Sequence, residues 1–483
     1  HEKARRVMSD TEKGVKVNDS EDRMVGHFWL RNPGLAPDKG TGDATAAAVV
    51  KCKDFSTKVH QGKVTNEAGE PFQYVAVIGI GGSQLGFQCV SKALADGPYK
   101  LKLFTLDNTD PDTVDSMINE VGSDNLDQVL FVVCSKSGGT TEIYNLYTVF
   151  EQVYKGKGLM FSKHAVAVSM EGSAMYRYAK EQDWLDIFPV WDWVGGRFSV
   201  LSPVGVLPLA LLGLDVGSLL AGAAAMDELT RSSAYPENPA MLMARYMLTQ
   251  TEEQGKHHMV VLPYKDKLDL WGKFLQQLYM ESLGKTYVTE EGQGHFGLTI
   301  FGNKGTTDQH SYVQQLLAGH NDFFAVFINI LHEKGQVTES QVEDGDITMG
   351  DYLLAFCHGT QNAMKARGRE SMAITMDRLD AFSFGGLIAL FERIVGYIAV
   401  YAGINPYDQP QVEEGKRSAK AIIEVRKKLN GLIAASGGGV LDVEDLKKEF
   451  AAEEYHVLYY LLLSSAEKGK VKTDIKKLDQ LLS

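Results

Sequence analysis

Tyr74-Val75-Ala76-Val77-Ile78-Gly79-Ile80-Gly81-Gly82-Ser83 decides the fold. Tyr74 to Ile80 is a short apolar, β-branched run that ends on Gly-Gly, the pattern of a strand buried on both faces. Leu101 to Leu106, Val129 to Cys134 and His164 to Met170 have the same texture. Helical stretches separate these runs, among them Ser83 to Ala95 and Thr140 to Tyr154. Alternating strands and helices predict a parallel sheet covered by helices.

Outward from this block the pattern recurs. Met259 to Pro263 reads as a strand, Lys273 to Leu283 as a helix, Leu298 to Phe301 as a short strand and Phe323 to Leu331 as a buried one. Leu219 to Thr249, rich in Ala, Leu and Met, is a long helical stretch between the two cycles. The first seventy residues are polar, with a helix expected only over Ala44 to Phe55. The expected class is α/β: an N-terminal helical segment 1–65, related α/β domains at 66–218 and 219–430, and a small helical module at 440–483. Ser436-Gly437-Gly438-Gly439 reads as a flexible linker. The module beyond it carries seven Lys against nine Asp and Glu, with apolar positions spaced for two or three short helices.

Composition narrows the function. At ~150 residues per domain the 483 residues fill about three domains. A formal net charge of −13 argues against sequence-independent nucleic-acid binding, which needs Lys and Arg on phosphates. It permits a small anionic substrate, because one cleft can concentrate positive potential. Cys52, Cys89, Cys134 and Cys357 lie far apart, the usage of buried thiols in a reducing compartment. No membrane span is expected: the best candidate, Phe198 to Leu214, contains two serines and two prolines and falls short of the ~20 apolar residues required.

Six segments carry chemistry. Gly79-Ile80-Gly81-Gly82-Ser83 joins a strand to a helix at the sheet edge where ligands bind, and the helix start offers N–H groups to an anion. Its spacing does not match G-x-G-x-x-G, and a plain tight turn is the alternative. Ser135-Lys136-Ser137-Gly138-Gly139-Thr140-Thr141-Glu142 sets four hydroxyls, a lysine and two glycines at another helix start. Hydroxyls and N–H groups can ring a phosphate monoester, whereas a helix cap needs only one hydroxyl. In Asp192-Trp193-Val194-Gly195-Gly196-Arg197 the glycines leave room for a guanidinium to enter a cleft and stabilise an oxyanion; the alternative is an arginine stacked on the tryptophans. Gln276-Gln277-Leu278-Tyr279-Met280-Glu281-Ser282-Leu283-Gly284-Lys285 is an amphipathic helix whose Glu281 is either a base or a solvated side chain. Gly305-Thr306-Thr307-Asp308-Gln309-His310 leads into a helix over Tyr312 to Leu317, where a neutral acid–base histidine or a cap would sit. Gln411-Val412-Glu413-Glu414-Gly415-Lys416 opens a helix running to Leu429, where a lone lysine is most often solvent-exposed.

In this order the segments resemble the glucose-6-phosphate isomerase family from about Glu21 to Asn430. Near the start, Asn18-Asp19-Ser20-Glu21-Asp22-Arg23 and the residues after it are most similar to the cyanobacterial and plastid branch. The resemblance implies two sugar-isomerase domains with flavodoxin-like sheets. It implies interconversion of glucose 6-phosphate and fructose 6-phosphate through a cis-enediol(ate), within glycolysis, gluconeogenesis and starch or sucrose metabolism. Substrate would sit against Gly82, Ser83, Ser135, Lys136, Ser137, Thr140, Glu142 and Gln277. Arg197 would stabilise the enediolate, Glu281 would move the proton between C2 and C1, and His310 and Lys416 would serve ring opening and hydroxyl proton transfer. At Asn303 and Asp351 the chain departs from the animal and enterobacterial pattern, so these roles follow the branch in which the MES-x-GK glutamate and the DQH histidine hold them. No metal, nucleotide, nucleic-acid or membrane partner is implied. A homodimer is, with His310 given across its interface, and the compartment implied is plastid stroma or, alternatively, cytoplasm. A non-catalytic sugar-phosphate sensor and a dual phosphoglucose/phosphomannose isomerase are the competing readings.

Overall fold

The computed structural model describes residues 1–289, 292–334, 337–338, 340–343, 345–436, 441, 443–469 and 481. Residues His1–Asp408 form one compact unit holding both main sheets, and Gln409–Ser483 form a second. In the first sheet β1 (Tyr74–Ile78), β2 (Lys102–Leu106), β3 (Val129–Cys134), β4 (Ala165–Ser169) and β5 (Asp186–Pro189) are all parallel, in the order β2-β1-β3-β4-β5. Every residue of β3 is buried, as its unbroken apolar run requires. β5 escaped the sequence reading because it is a four-residue edge strand carrying an Asp and a Pro. From β1 the chain crosses to β2 on one side and returns to β3 on the other. The ligand crevice therefore opens beyond the carboxyl ends of β1 and β3, where two of the glycine-rich segments lie.

The second sheet uses β6 (His258–Pro263). A hairpin follows, β7 (Lys285–Thr289) with β8 (Gly292–Phe296), and then β9 (Thr299–Phe301) and β10 (Phe323–His332). After a small pair, β11 (Gln341–Glu343) and β12 (Ile347–Thr348), β13 (Ser371–Arg378) completes a parallel order β13-β10-β6-β9. β13 sits at the edge with one buried residue, and its apolar run is only Met372-Ala373-Ile374, broken by Thr375 and followed by Asp377 and Arg378.

The expected helix over Leu219 to Thr249 is two helices, Val216–Ser232 and Pro239–Leu248. Pro239 opens the second, where its missing N–H costs nothing, and the Asn238 side chain accepts from Met241 N–H as cap. Helix Ala381–Ala402 packs against both. It is long and apolar enough to cross a membrane, and so displaces Phe198 to Leu214 as the leading candidate by that test, but 89% of its most apolar window is buried inside the protein. A long, largely apolar helix covered in this way is a core helix.

The polar N-terminus also holds more structure than its periodicity suggested. Helix Glu2–Glu12 and the turn His27–Leu30 are tied down by a buried ionic cluster. Arg31 forks onto Asp227, with Nε at 2.5 Å and Nη2 at 2.9 Å, and also bonds Glu392. Arg393 bonds Asp227 at 2.7 Å and Glu12.

The second unit contains helices Val412–Ala435, Val443–Glu449 and Tyr455–Glu467 around Val425, Leu429, Val443, Leu446, Phe450, Leu458 and Leu462. Two of the short helices expected beyond the linker are thus present. Gly437-Gly438-Gly439 of that linker lie outside the described residues.

Candidate active site

Four of the six segments converge at the first sheet's carboxyl edge, two of them touching through backbone. After β1, residues Gly81–Ser83 make one turn of 3₁₀ helix. A Cβ on Gly82 would stand 2.1 Å from the Gly196 carbonyl oxygen, so only glycine lets this turn lie on the Gly195-Gly196-Arg197 turn. Ser199 Oγ donates to the Gly82 carbonyl at 3.1 Å and locks the pair.

After β3, Ser135 Oγ accepts from Gly138 N–H at 3.1 Å and Ser137 Oγ from Gly139 N–H at 3.2 Å. Gly138 has φ +70°, and a Cβ there would lie 2.1 Å from Met175 N. The serines shape the turn as acceptors and retain their own hydroxyl protons to give to an anion. Thr140 is the N-cap residue of helix Thr141–Gly156 yet makes no side-chain cap bond, so capping does not explain its hydroxyl. Ser83, Thr140 and Glu142 are half-buried and Ser137 is exposed, all accessible to a small ligand.

Lys136 Nζ donates to the carbonyls of Asp192 and Val194, each at 2.8 Å, and so fastens this turn to the arginine-bearing one. Burial, with Arg23 adding, brings its pKa down to about 8.

Arg197 is 1% exposed at its side chain. Nε donates to Ser282 Oγ at 2.6 Å, and Nη2 donates to the carbonyls of Pro406 and of Asp408, the latter at 3.0 Å. Trp191 and Trp193 stack on each other at 4.9 Å, whereas the guanidinium lies 5.6 Å from the Phe198 ring centre. Stacking on tryptophan therefore does not account for the arginine. Burial lowers its pKa, with Glu281 and Asp408 opposing.

Glu281 Oε1 stands 3.5 Å from Arg197 Nη1 and its side chain is 24% exposed. It ends a single π-helical turn, Gln276–Glu281, that continues helix Trp271–Leu275; such turns recur at functional sites. Gln277 Nε2 lies 3.2 Å from where a Cβ of Gly81 would be, at the lip of the first turn. An accessible carboxylate beside a buried cation, next to a ring of hydroxyls and N–H groups, can shift a proton on an anionic substrate while holding negative charge.

The phosphoglucose isomerase family profile matches residues 2–353. The chain is 43% identical over 452 residues to the glucose-6-phosphate isomerase of Desulfitobacterium hafniense strain Y51, covering 94% of this chain and 84% of that protein. It is 42% identical over 455 residues to the enzyme of that name from a Synechococcus sp. strain, covering 94% and 85%. The chain belongs to the phosphoglucose isomerase family. A crystal structure of a glucose-6-phosphate isomerase from Chlamydia trachomatis superposes with a TM-score of 0.79 at 27% identity, over 88% of this chain and 84% of that one. A hypothetical protein from Thermus thermophilus gives 0.67 at 25% identity, over 77% and 90%.

Two further residues are implied by the family resemblance. His310 is exposed at the end of the turn Thr307–His310, and no hydrogen bond or ion pair joins it to Arg197 or Glu281 among the described residues. The helix after it is Val313–Ala318, one residue later than expected. Lys416 belongs to the second unit, on the exposed part of helix Val412–Ala435. Of the two departures from the animal pattern, Asp351 completes a capping box with Thr348, whereas the bond from Asn303 to the buried Asp308 carboxylate at 2.9 Å uses a main-chain N–H that any residue but proline supplies.

Sequence reasoning missed Ser20, Ser282, Lys285 and Asp408. Lys285 Nζ bonds Asp408 Oδ1 at 2.8 Å, and Ser20 Oγ donates to Asp408 Oδ2 at 2.6 Å. Ser282 and Lys285 lay within the quoted helix segment, but a helix-end Ser and Lys carry no signal of their own. Among the described residues no cluster of three or more His, Cys, Asp or Glu is disposed to hold a metal ion.

Proposed function

We propose that this chain interconverts glucose 6-phosphate and fructose 6-phosphate by proton transfer through a cis-enediol(ate). The observation that carries the reading is the accessible Glu281 carboxylate 3.5 Å from the buried Arg197 guanidinium, beside two hydroxyl-rich turns. Isomerisation removes a weakly acidic proton α to a carbonyl and returns it to the neighbouring carbon. One carboxylate serves both steps when a fixed cation holds the enediolate. The phosphate rests on Ser83, Ser135, Ser137 and Thr140 with the backbone of Gly82 and Lys136. Gln277 and Glu142 line the sugar. His310 and Lys416 handle ring opening and hydroxyl protons, a role resting on family likeness. A coupled assay from fructose 6-phosphate to glucose 6-phosphate tests the assignment, and no turnover at high enzyme concentration would leave a phosphosugar-binding regulator in its place. That regulator is disfavoured because the acid–base residues are present. Mannose 6-phosphate in the same assay decides whether specificity at C2 is dual.

The working form in this reading is a homodimer. Met349, Tyr352 and Phe356 expose one face of helix Met349–Ala366, and Gln309 Nε2, beside His310, donates to the Phe356 carbonyl at 3.2 Å. A second copy seated on that face accounts for the apolar exposure and gives His310 a site to enter. Placement in a plastid rests on branch likeness alone; the relatives compared above are bacterial, which favours the cytoplasmic alternative.

A further inference from the structure

Asp408 is a crossing point. Its main-chain carbonyl accepts from Arg197 Nη2 at 3.0 Å and also from Lys285 Nζ. Its carboxylate takes Lys285 Nζ at 2.8 Å, Ser20 Oγ at 2.6 Å and Asn405 Nδ2 at 3.3 Å. The side chains of Lys285 and Asp408 are 8% and 14% exposed, so the pair is poorly screened. Burial pushes the Asp408 carboxyl up, but the bonds from Lys285 and Ser20 outweigh it and the group sits below the usual carboxylate range.

One segment supplies three parts of the arrangement. Glu281 supplies the carboxylate, Ser282 holds Arg197 Nε, and Lys285 holds Asp408, whose carbonyl takes Nη2 together with that of Pro406. With Nε and Nη2 pinned, the guanidinium plane is set and Nη1 turns to Glu281 at 3.5 Å. A lysine suits the post: its compact ammonium has three donors and bonds both the carboxylate and the carbonyl of Asp408. We propose that Lys285 is a positioning residue for Arg197, acting through Asp408. This rests on the reading of Arg197 and Glu281 given above.

Lys285→Met should lower kcat for fructose 6-phosphate roughly 10- to 100-fold while KM stays within about two-fold, because misplacing a transition-state group costs rate and the phosphate turns are untouched. Lys285→Arg should recover most of the loss. The double variant Lys285→Met/Asp408→Asn removes both buried charges and should recover thermal stability without recovering kcat. In an Arg197→Met background, Lys285→Met should cost less than about three-fold more, since two residues acting through one group are not additive. The proposal is overturned if Lys285→Met keeps wild-type kcat, if kcat returns together with stability in the double variant, or if the full loss persists without Arg197. Arg197→Met and Glu281→Gln run alongside separate the two levels. Wild-type rates in those variants would remove the assignment of the site itself, whereas normal rates in Lys285→Met alone would remove only the positioning role.

Discussion

Lys136 shows how one side chain serves both scaffold and substrate. Its ammonium is spent on two carbonyls, yet its charge lies within the turn proposed to take the phosphate. Burial leaves it titrating near pH 8 rather than 10.5. As pH rises through about 8 the charge goes, and attraction for the phosphate weakens; the phosphate itself, with a second pKa of about 6, is already dianionic there. KM for fructose 6-phosphate should therefore rise above pH 8 while kcat holds. Stability moves the other way. Between the folded and unfolded pKa values the unfolded chain binds more protons, so this group's contribution to stability rises with pH. A KM that does not change across pH 8, beside a wild-type-like profile for Lys136→Met, would remove Lys136 from substrate binding. The hydroxyls, the paired glycines and Arg197 were legible because their chemistry is in their side chains and spacing. Asp408 was not, since the contact it makes to Arg197 is a main-chain carbonyl that any residue could supply.

At the scale of elements, the strands with unbroken apolar runs, β1, β3, β4, β6 and β10, were plain in the sequence. The edge strands β5 and β13 were hidden by their polar residues. The N-terminal helix Glu2–Glu12 was invisible for another reason. Its buried apolar residues are Ala4 and Met8, and the rest of its anchorage is ionic and long-range, through Glu12 to Arg393 on helix Ala381–Ala402 and Arg231 on helix Val216–Ser232. No local periodicity encodes such a partner. Asp227 is the keystone, 2% exposed and bonded to both Arg31 and Arg393. Asp227→Ala should destabilise the protein by about 3–5 kcal/mol, because two buried guanidiniums lose their shared counter-charge. Chemical denaturation measures this, and a loss below about 1 kcal/mol, the value of an exposed pair, would show that water reaches the cluster.

At the scale of the whole molecule, the sequence pointed to the α/β class and the recurring sheet pattern. The reason is that two glycine-rich segments directly follow the buried strands β1 and β3, so a linear pattern maps onto one sheet edge. Assembly has no such mapping. His310 is exposed and Lys416 lies in the second unit, so their roles need tests beyond one chain's geometry. If His310 acts across a dimer, mixing His310→Ala with Glu281→Gln subunits should restore activity that neither variant has alone, since one hybrid site is then complete. Absence of recovery in verified hybrid dimers would place His310 within its own chain's site or outside the reaction. The central claim is that Glu281 carries the proton beside Arg197. Its most direct test is Glu281→Gln assayed in deuterated water. The account predicts retained binding of fructose 6-phosphate, turnover lowered by about 10²–10⁴-fold, and solvent deuterium entering C2 of the product at the same reduced rate. Isomerisation and deuterium incorporation at wild-type rates in that variant would contradict it.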